Sequence, residues 1–461
     1  MPLKITKSRI NTESIMSFIK RFKNSIIWLL ALLMYAGCMA ALFLLLGIEN
    51  WQILDVSRTS IMMVFTFVIM GFLLVRAYGG YNVGVRKSRP IAISLSIAII
   101  LDDILTYIVL VIMNTNDENG RRVEFFASFG FLLIAMAIQV VLLTVFTYLG
   151  NAFYFAVNPA ERTLIVTGEK EEQPKIKAAI EIFHRRYTIE RMMTAKDEGI
   201  EEAIKGADSV FFYDVPKKRL EELTGICYGY KKSVYINPDI SDILLHSGRE
   251  QFFSDLPFYH AAAHHMTFEQ RVVKRLGDIC ISMIGLILTS PLFLIAAAAI
   301  KKEDGGSVFF RQERATVGGR VFEIIKFRTM KENASIASVT KGDGRITKTG
   351  RWLRKYRIDE LPQLINILRG DMSLVGPRPE MMKNVEEYTA DLPEFRYRLR
   401  MKAGLTGYAQ VMGKYNTSSR DKLILDLMYI ENFSIVNDIR IILQTVTVLF
   451  SAEESTEAFD D

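Results

Sequence analysis

The chain has 461 residues, of which 50% are hydrophobic, and its mean hydropathy of +0.18 is high for a soluble protein. The net charge of +6 is modest, and the basic residues stand beside apolar runs without interleaved aromatic platforms. This pattern argues against nucleic acid and favours anionic lipid and phosphate as partners. Three widely separated cysteines indicate neither a disulfide framework nor a zinc site.

Four apolar segments come first in the chain, and each is near the roughly 20 residues needed to cross a bilayer. They are Ser25–Ile48, Thr59–Val75, Pro90–Met113 and Phe125–Gly150. Lysine and arginine crowd the N-terminus and the loop between the second and third segments, so the N-terminus is predicted to face the cytosol. Residues 1–157 are therefore predicted to form a four-helix transmembrane domain that returns the chain to the cytosol.

Two adjacent carboxylates, Asp102 and Asp103, lie in the middle of the third segment. Carboxylates are costly at that depth and normally mark an interior-facing or functional position. We interpret the pair as a contact for helix packing or for a homodimer, with a role in transport as the alternative.

Residues 158–265 change to short strands and helices, which predicts a small, Rossmann-like α/β domain with a parallel sheet. Strands are predicted at Leu164–Val166, Tyr187–Met192, Val210–Tyr213 and Val234–Ile236, with a helix from Pro174. The first strand runs into an acidic stretch, Thr167–Gln173, instead of a Gly-x-Gly-x-x-Gly loop. We therefore expect no dinucleotide cofactor in this domain.

A fifth apolar run, Ile279–Ile300, is long enough to span a bilayer. Basic pairs flank both of its ends, and Ser290-Pro291 interrupts it where proline breaks the helical hydrogen-bond ladder. Residues 272–300 are therefore predicted to form a re-entrant helical hairpin, with the Ser290 hydroxyl as a partner for the freed backbone. An ordinary kinked fifth span is the alternative, and it would put the following residues outside the cell.

Alternating residues at 309–314 and 322–328 predict two strands, with Lys326 and Arg328 on one face. These two side chains and Arg311 are predicted to contact the substrate.

Asp359 and Glu360 form an acidic pair among basic residues. The apolar spacing after them, Pro362 and a stop at Gly370 predict a helix that begins near Asp359. A helix N-terminus keeps a carboxylate ionised and attracts phosphate, so Asp359 is a candidate nucleophile. The alternative is that the pair only caps the helix.

Three arginines, Arg354, Arg357 and Arg378, are predicted to gather at this acidic pair. Pro377 and Pro379 restrict the backbone on both sides of Arg378, so its guanidinium is held by a stiff turn. A guanidinium held in this way makes a good phosphate clamp. The local pattern therefore predicts phosphate chemistry.

Six ordered segments resemble the bacterial sugar transferases, which are monotopic polyprenyl-phosphate phosphoglycosyl transferases. The resemblance covers Arg271 to about Phe450. The segments are Lys274–Asp278, Phe309–Arg314, Phe322–Met330, Thr349–Arg354, Asp359–Gln363 and Asp371–Pro379. The resemblance implies a mixed α/β catalytic domain over residues 266–451 with the re-entrant helix, and a structural or regulatory role for the preceding α/β domain. Residues 452–461 are predicted to be an acidic tail.

The resemblance also implies a reaction, in which Asp359 attacks the sugar-linked phosphorus of a UDP-sugar, releases UMP and passes the phosphosugar to undecaprenyl phosphate. Glu360 is implied as the partner carboxylate, Mg²⁺ as the cofactor held by one or both carboxylates, and Arg354 and Arg378 as phosphate ligands. The product would begin an exopolysaccharide, capsule or O-antigen glycan at the cytosolic face of the bacterial inner membrane. The alternatives are a membrane scaffold or sensor with an inactive transferase half, and a membrane nucleotide-sugar dehydratase.

Overall fold

A computed structural model describes residues 19, 21–113, 128–246, 248–262, 265–331, 344–412 and 418–450 of the chain. The predicted acidic tail lies outside these residues. The chain divides into two compact units, residues 1–237 and 238–461. The helix that follows this division contains Ile243, which packs into the core of the C-terminal unit.

Four long helices occupy the predicted transmembrane region. They are α1 Lys23–Gly47, α2 Arg58–Ala77, α3 Ser88–Met113 and α4 Phe129–Val157. All four are long and apolar enough to cross a membrane. Helix α1 packs against α4, α2 against α3, and α3 against α4. The four predicted apolar segments therefore lie in long apolar helices.

The two carboxylates predicted at mid-membrane depth, Asp102 and Asp103, are both fully buried among these helices. Gln139 Nε2 of α4 donates hydrogen bonds to Asp103 Oδ1 at 3.1 Å and to the Cys38 carbonyl oxygen of α1 at 3.0 Å. Tyr35 of α1 donates to Asp102 Oδ2 at 3.4 Å. These contacts join three helices, which favours the interpretation of the pair as a packing contact.

The α/β part of the first unit alternates strands and helices. It contains β1 Glu161–Thr167, α5 Gln173–Glu181, β2 Tyr187–Thr194, α6 Ile200–Gly206, β3 Ser209–Tyr213, α7 Lys217–Gly229 and β4 Ser233–Ile236. The strands form one parallel sheet, as predicted, and their order in the sheet is β2-β1-β3-β4. After β1 the chain turns so closely that a Cβ on Gly168 would lie 2.0 Å from the Asp214 carbonyl oxygen. The chain after β1 therefore passes close against Asp214, the residue that follows β3.

The C-terminal unit mixes helices with three strand pairs. The hairpins β5–β6 and β7–β8 are antiparallel, whereas β9 and β10 are parallel. The elements are α8 Ile240–His246, β5 Arg249–Phe253, β6 Leu256–His260, α9 Phe268–Asp304, β7 Phe309–Ala315, β8 Val321–Phe327, α10 Lys348–Lys355, α11 Gln363–Arg369, β9 Ser373–Val375, α12 Met382–Asp391, β10 Gly404–Thr406, α13 Tyr408–Val411, α14 Ser419–Glu431 and α15 Ile435–Phe450. The main core is apolar and includes Ile367, Val375, Phe395, Leu423 and Ile441.

Helix α9 contains the predicted membrane element and is one continuous helix of 37 residues. Pro291 lies inside it and lacks the N–H that would bond to the Ile287 carbonyl oxygen four residues earlier. Ser290 Oγ donates to that oxygen at 2.8 Å, so the serine hydroxyl replaces the missing donor. Because the Ile287 carbonyl oxygen has this partner, the helix continues through Pro291. The structure therefore shows one continuous helix where the sequence predicted a helical hairpin.

Helix α9 contacts the C-terminal unit along its whole length. Near its start, Lys274 Nζ donates to the Val375 carbonyl oxygen at 3.0 Å. In its middle, Leu286 packs on the main core, and at its end Asp304 forms an ion pair with Arg328. The opposite side of the helix exposes Leu276, Ile284, Ile287, Leu288, Leu294 and Ile295.

Candidate active site

The acidic pair lies in a short 3₁₀ turn, Ile358–Glu360, between α10 and α11. Arg357 begins the turn with a φ of 53° and a ψ of 24°, which are left-handed values that cost an arginine free energy. The Glu360 N–H donates to the Arg357 carbonyl oxygen at 3.2 Å. The predicted helix start near Asp359 is therefore a 3₁₀ turn, and the α-helix itself begins at Gln363, after the proline.

The Glu360 carboxylate is held by two cations. Its Oε1 accepts hydrogen bonds from Lys326 Nζ at 3.1 Å and from Arg378 Nη2 at 3.2 Å. Burial by itself would raise the pKa of Glu360, but Lys326, Arg378 and Arg357 outweigh it and hold the pKa well below its ordinary value. Glu360 is therefore an ionised, fixed carboxylate at neutral pH.

The neighbouring carboxyl, Asp359, accepts no hydrogen bond from another side chain in the described part of the chain. Burial and the negative charge of Glu360 raise the pKa of Asp359 to about 6, against the attraction of Lys326 and Arg354. Two adjacent carboxyls with different pKa values are typical of sites that assign them different roles. Asp359 is the carboxyl of the pair that no side-chain hydrogen bond holds among the described residues.

The last turn of α10 carries Arg354 toward the acidic pair. The helix is capped by Thr347, whose Oγ1 accepts from the Gly350 N–H at 2.9 Å. Arg354 Nε donates to Thr329 Oγ1 at 2.9 Å, which fixes the guanidinium, and its charge opposes the rise in the pKa of Asp359. An arginine anchored through Nε still presents its two Nη groups to a phosphate.

The predicted stiff turn around Arg378 is held by contacts far away in the sequence. Arg398 Nη2 donates to the Arg378 carbonyl oxygen at 2.7 Å, and Arg398 forms an ion pair with Asp426 at 2.8 Å. Both side chains of that ion pair are only 2% exposed. The Gly404 N–H also donates to the Pro377 carbonyl oxygen at 2.9 Å. The structure thus adds Arg398 and Asp426, which no local sequence pattern pointed to.

Asn366 is a second residue that the sequence did not single out. It is fully buried, and its side chain donates to the Glu323 carbonyl oxygen at 2.7 Å and accepts from the Ile325 N–H at 2.9 Å. These bonds fix α11 against β8 directly beside Lys326, and so set the distance between Lys326 and Glu360. In the sequence, the polar amide of Asn366 falls among the apolar residues of a short helix, and this could have indicated a buried hydrogen-bonding role.

Two residues that were predicted to contact the substrate have other partners in the structure. Arg311 pairs with Glu323 at 3.4 Å, and both side chains are exposed. Arg328 is buried and pairs with Asp304 at the end of α9. Strand β8 ends at Phe327, so the predicted alternation of side chains does not continue to Arg328. Lys326, Arg354, Arg357 and Arg378 are the predicted basic residues that surround the acidic pair.

The acidic pair also suits a small divalent cation. The described residues contain no group of three or more His, Cys, Asp or Glu side chains placed to hold a metal ion. Mg²⁺, however, is commonly held by one or two carboxylates together with substrate phosphates. The oxygens of Asp359 and Oε2 of Glu360 fit that requirement, because the two cations bind Oε1 of Glu360.

These features define a class of protein. Its long apolar helices suggest membrane association. In its C-terminal unit, basic side chains surround two carboxylates, of which Glu360 is held by two cations and Asp359 is not. Basic side chains in this arrangement suit the binding of a phosphorylated substrate, and the carboxylate of Asp359 suits attack on phosphorus.

Comparison with known proteins identifies the family. The family model described as bacterial sugar transferase matches residues 269–452. A UDP-glucose:undecaprenyl-phosphate glucose-1-phosphate transferase of Caulobacter vibrioides is 42% identical over 190 residues, which cover 40% of this chain and 71% of that protein. The chain therefore belongs to the bacterial sugar transferase family, which confirms the predicted family and the predicted class of enzyme, a sugar-phosphate transferase.

Two longer relatives also match part of this chain. A UDP-N-acetylgalactosamine-undecaprenyl-phosphate N-acetylgalactosaminephosphotransferase of Aeromonas hydrophila is 40% identical over 185 residues, which cover 39% of this chain and 44% of that protein. The UDP-glucose:undecaprenyl-phosphate glucose-1-phosphate transferase of Escherichia coli is 36% identical over 223 residues, which cover 46% of this chain and 48% of that protein. The match thus spans less than half the length of both relatives.

Proposed function

We propose that the protein transfers a sugar-1-phosphate from a UDP-sugar to undecaprenyl phosphate and so begins an exopolysaccharide, capsule or O-antigen glycan. The observation that carries this proposal is the acidic pair, in which cations hold Glu360 and leave Asp359 available. The names of all three relatives contain a UDP-sugar and undecaprenyl phosphate, which supports these as donor and acceptor.

In the first step, a carboxylate oxygen of Asp359 attacks the sugar-linked phosphorus of the donor. An oxygen–phosphorus bond forms to Asp359, and the bond from that phosphorus to the bridging anhydride oxygen breaks. UMP leaves with the bridging oxygen and its electron pair. The raised pKa of Asp359 still leaves most of the carboxyl ionised at neutral pH, so no separate base is needed.

In the second step, an oxygen of undecaprenyl phosphate attacks the same phosphorus. The bond between phosphorus and Asp359 breaks, and the carboxylate returns to its ionised form. The product is undecaprenyl diphosphate with the sugar attached. Because UMP leaves before the acceptor reacts, ping-pong kinetics are expected.

The basic side chains around the acidic pair have different roles in the proposed reaction. Arg354 is anchored through Nε, so its Nη groups are assigned to the phosphates of the donor. Arg378 and Lys326 fix Glu360 and add positive charge where negative charge grows in the transition state. When bound, Mg²⁺ would be held by Asp359 and Glu360 and would polarise the phosphate oxygens.

The contacts of α9 favour a location on one face of the membrane. Lys274 near its start and Asp304 at its end both contact the same polar unit. If α9 crossed the bilayer as a straight span, the polar groups of the unit that contact it would lie in the hydrocarbon core, which is costly. We infer that this continuous helix lies at one face of the membrane with its exposed apolar side in lipid, and we place the C-terminal unit on the cytosolic face of the inner membrane.

The decisive assay measures UMP release by membranes that contain the full chain, Mg²⁺, undecaprenyl phosphate and a panel of UDP-sugars. Asp359→Asn is expected to abolish UMP release, because an amide does not form the covalent bond to phosphorus. Asp391→Asn, which changes an exposed aspartate at the end of α12, is the matched control and should retain wild-type rates.

Near-normal release by Asp359→Asn would contradict the nucleophile assignment. No release from any UDP-sugar by the wild-type chain would favour the scaffold or sensor alternative. The dehydratase alternative requires nicotinamide binding, and the stretch Thr167–Gln173 after β1 lacks a Gly-x-Gly-x-x-Gly loop. The panel is needed because the relatives include proteins named for glucose and for N-acetylgalactosamine at 42% and 40% identity.

A further inference from the structure

Three basic side chains, Arg275, Arg320 and Lys402, gather at the C-terminal end of α11, and we call them the basic cluster. Arg275 of α9 donates from both Nη atoms to the last carbonyl oxygens of α11, at 2.6 and 2.8 Å. A Cβ built on Gly370 would lie 3.5 Å from Arg275 Nη2 and 3.9 Å from Lys402 Nζ, so both nitrogens approach the same point. Arg320 reaches Asp371, the residue after that glycine, at 3.2 Å.

The two carboxylates near the basic cluster, Asp371 and Asp278, already have partners within the protein. Asp371 pairs with Arg320. Asp278 accepts hydrogen bonds from Ser373 Oγ at 3.1 Å and from the Leu374 N–H at 2.9 Å. An anion that approaches the cluster therefore meets charges that the protein itself does not fully neutralise.

Lys402 is the least satisfied member of the basic cluster. It donates no hydrogen bond to any residue that the structure describes, although it is half-buried. Burial and then the positive charges of Arg275 and Arg320 lower the pKa of Lys402, against the attraction of Asp278 and Asp371. An ammonium group in this position gains free energy from any additional anion.

The basic cluster borders the apolar surface of α9. Two apolar residues in the same turn of the helix as Arg275, Val273 and Leu276, are 51% and 56% exposed. An apolar helix surface with a basic edge is the arrangement that binds an anionic lipid surface. A soluble phosphate would use only the charges, whereas a lipid would use the charges and the apolar surface together.

We propose that the basic cluster binds the phosphate of an anionic membrane phospholipid, at a site separate from the site of transfer. The two sites lie at opposite ends of α11, since the acidic pair precedes its first residue and Gly370 follows its last. A lipid held here joins the start of α9 to the end of α11. It would thereby fix the helix that places the acidic pair at the membrane.

The test uses the purified full chain in neutral detergent, titrated with phosphatidylglycerol, with phosphatidylcholine or with inorganic phosphate. Phosphatidylglycerol should raise the thermal midpoint, and native mass spectrometry should show it retained on the protein. Lys402→Gln should weaken its apparent affinity about five- to tenfold, the loss expected for one basic residue at a lipid surface. Lys302→Gln, which removes an exposed lysine at the other end of α9, should behave as wild type.

The sign of the stability change provides an independent check. Without lipid, Lys402→Gln should unfold at the same or a higher temperature than wild type, because a disfavoured charge is removed. With phosphatidylglycerol it should unfold at a lower temperature than wild type. Arg320→Gln repeats the affinity measurement without disturbing the bonds from α9 to α11.

Three results would overturn the proposal. Equal phosphatidylglycerol affinity in wild type, Lys402→Gln and Arg320→Gln would show that the basic cluster does not bind lipid. Equal protection by inorganic phosphate would show a site for soluble phosphate. A raised KM for undecaprenyl phosphate in Lys402→Gln, with phosphatidylglycerol retention unchanged, would assign the cluster to the acceptor.

Discussion

Two neighbouring carboxyls in the candidate active site differ in pKa because they face different partners. Glu360 faces Lys326 and Arg378 and is held as an anion, whereas Asp359 has no such hydrogen bonds and also faces the charge of Glu360. In the proposed reaction, the fixed carboxylate supports the site and the other acts as the nucleophile. Its consequence is a specific dependence of activity on pH.

The acid limb of kcat/KM is expected near pH 6, because Asp359 must be ionised to attack and its pKa is raised to about 6. Burial raises this pKa first, and Glu360→Gln removes the repulsion that adds to it, while Lys326 and Arg354 still stabilise the ionised form of Asp359. The limb should therefore move to lower pH in that variant, whatever its absolute rate. UMP release measured between about pH 4.5 and 8 tests this shift. A limb that moves to higher pH would show that another group controls it.

The left-handed backbone of Arg357 separates a stability effect from an activity effect. Arg357→Ala and Arg357→Gly both remove the guanidinium near Glu360, so both should lose the same activity. Only glycine accepts a φ of 53° without strain, so Arg357→Gly should be about 1 kcal/mol more stable than Arg357→Ala. Thermal unfolding of the two variants measures the difference.

Lys231 supplies the control for this pair, because its φ of 54° is nearly the same and it lies in the other unit of the chain. Lys231→Gly should likewise be more stable than Lys231→Ala, and both should retain full activity. Equal stability of the two Arg357 variants would mean that the turn relaxes when the side chain is removed.

At the level of secondary structure, the acidic pair depends on how α11 is attached to β8. The attachment is made by one buried side chain, Asn366, which satisfies one backbone donor and one backbone acceptor of the strand. The turn around Arg378 is attached in a similar way, by the buried ion pair of Arg398 and Asp426. Each attachment positions one of the two cations that hold Glu360.

Asn366→Leu leaves the Ile325 N–H and the Glu323 carbonyl buried without partners. Each orphaned group should cost about 1–3 kcal/mol of unfolding free energy. Activity should also fall, because Lys326 loses its fixed distance from Glu360. Thermal unfolding and UMP release check both effects. Asn432→Leu, at an exposed position in the same unit, should change neither, and a stable, active Asn366→Leu would contradict the positioning role.

Over the whole molecule, four helices of spanning length precede the α/β part, and the fifth lies against the C-terminal unit. With an even number of crossings, the N-terminus and the C-terminal unit should share one side of the membrane. The short connection between α1 and α2, which exposes Val56, should lie on the opposite side. With the N-terminus in the cytosol, as proposed, this topology would place the acidic pair where UDP-sugars are available.

Cysteine labelling of intact cells tests the topology in a variant that lacks the three natural cysteines. A membrane-impermeant maleimide should label the protein that carries Val56→Cys and should not label the one that carries Lys383→Cys. Both positions are exposed, so access to the reagent depends on the side of the membrane alone. Labelling at residue 383 from outside would show that α9 crosses the bilayer.

The sequence by itself determined the features that depend on local pattern. Apolar length predicted the four long helices, and the alternation of short strands with helices predicted the parallel sheet. The Ser290-Pro291 step predicted the hydroxyl that satisfies the Ile287 carbonyl. Six ordered motifs predicted the family. All of these signals lie within short stretches of chain, where hydrophobic length, periodicity and the loss of one N–H act directly.

Only the tertiary structure decided the partner of each charged side chain. Arg328 and Lys326 are two residues apart, yet one pairs with Asp304 and the other with Glu360. The roles of Asn366 and Arg398 likewise depend on backbone groups that lie 41, 43 and 20 residues away in the sequence. The physical reason is that an ion pair or a buried hydrogen bond depends on distance in space, which the order of residues specifies only after the chain has folded.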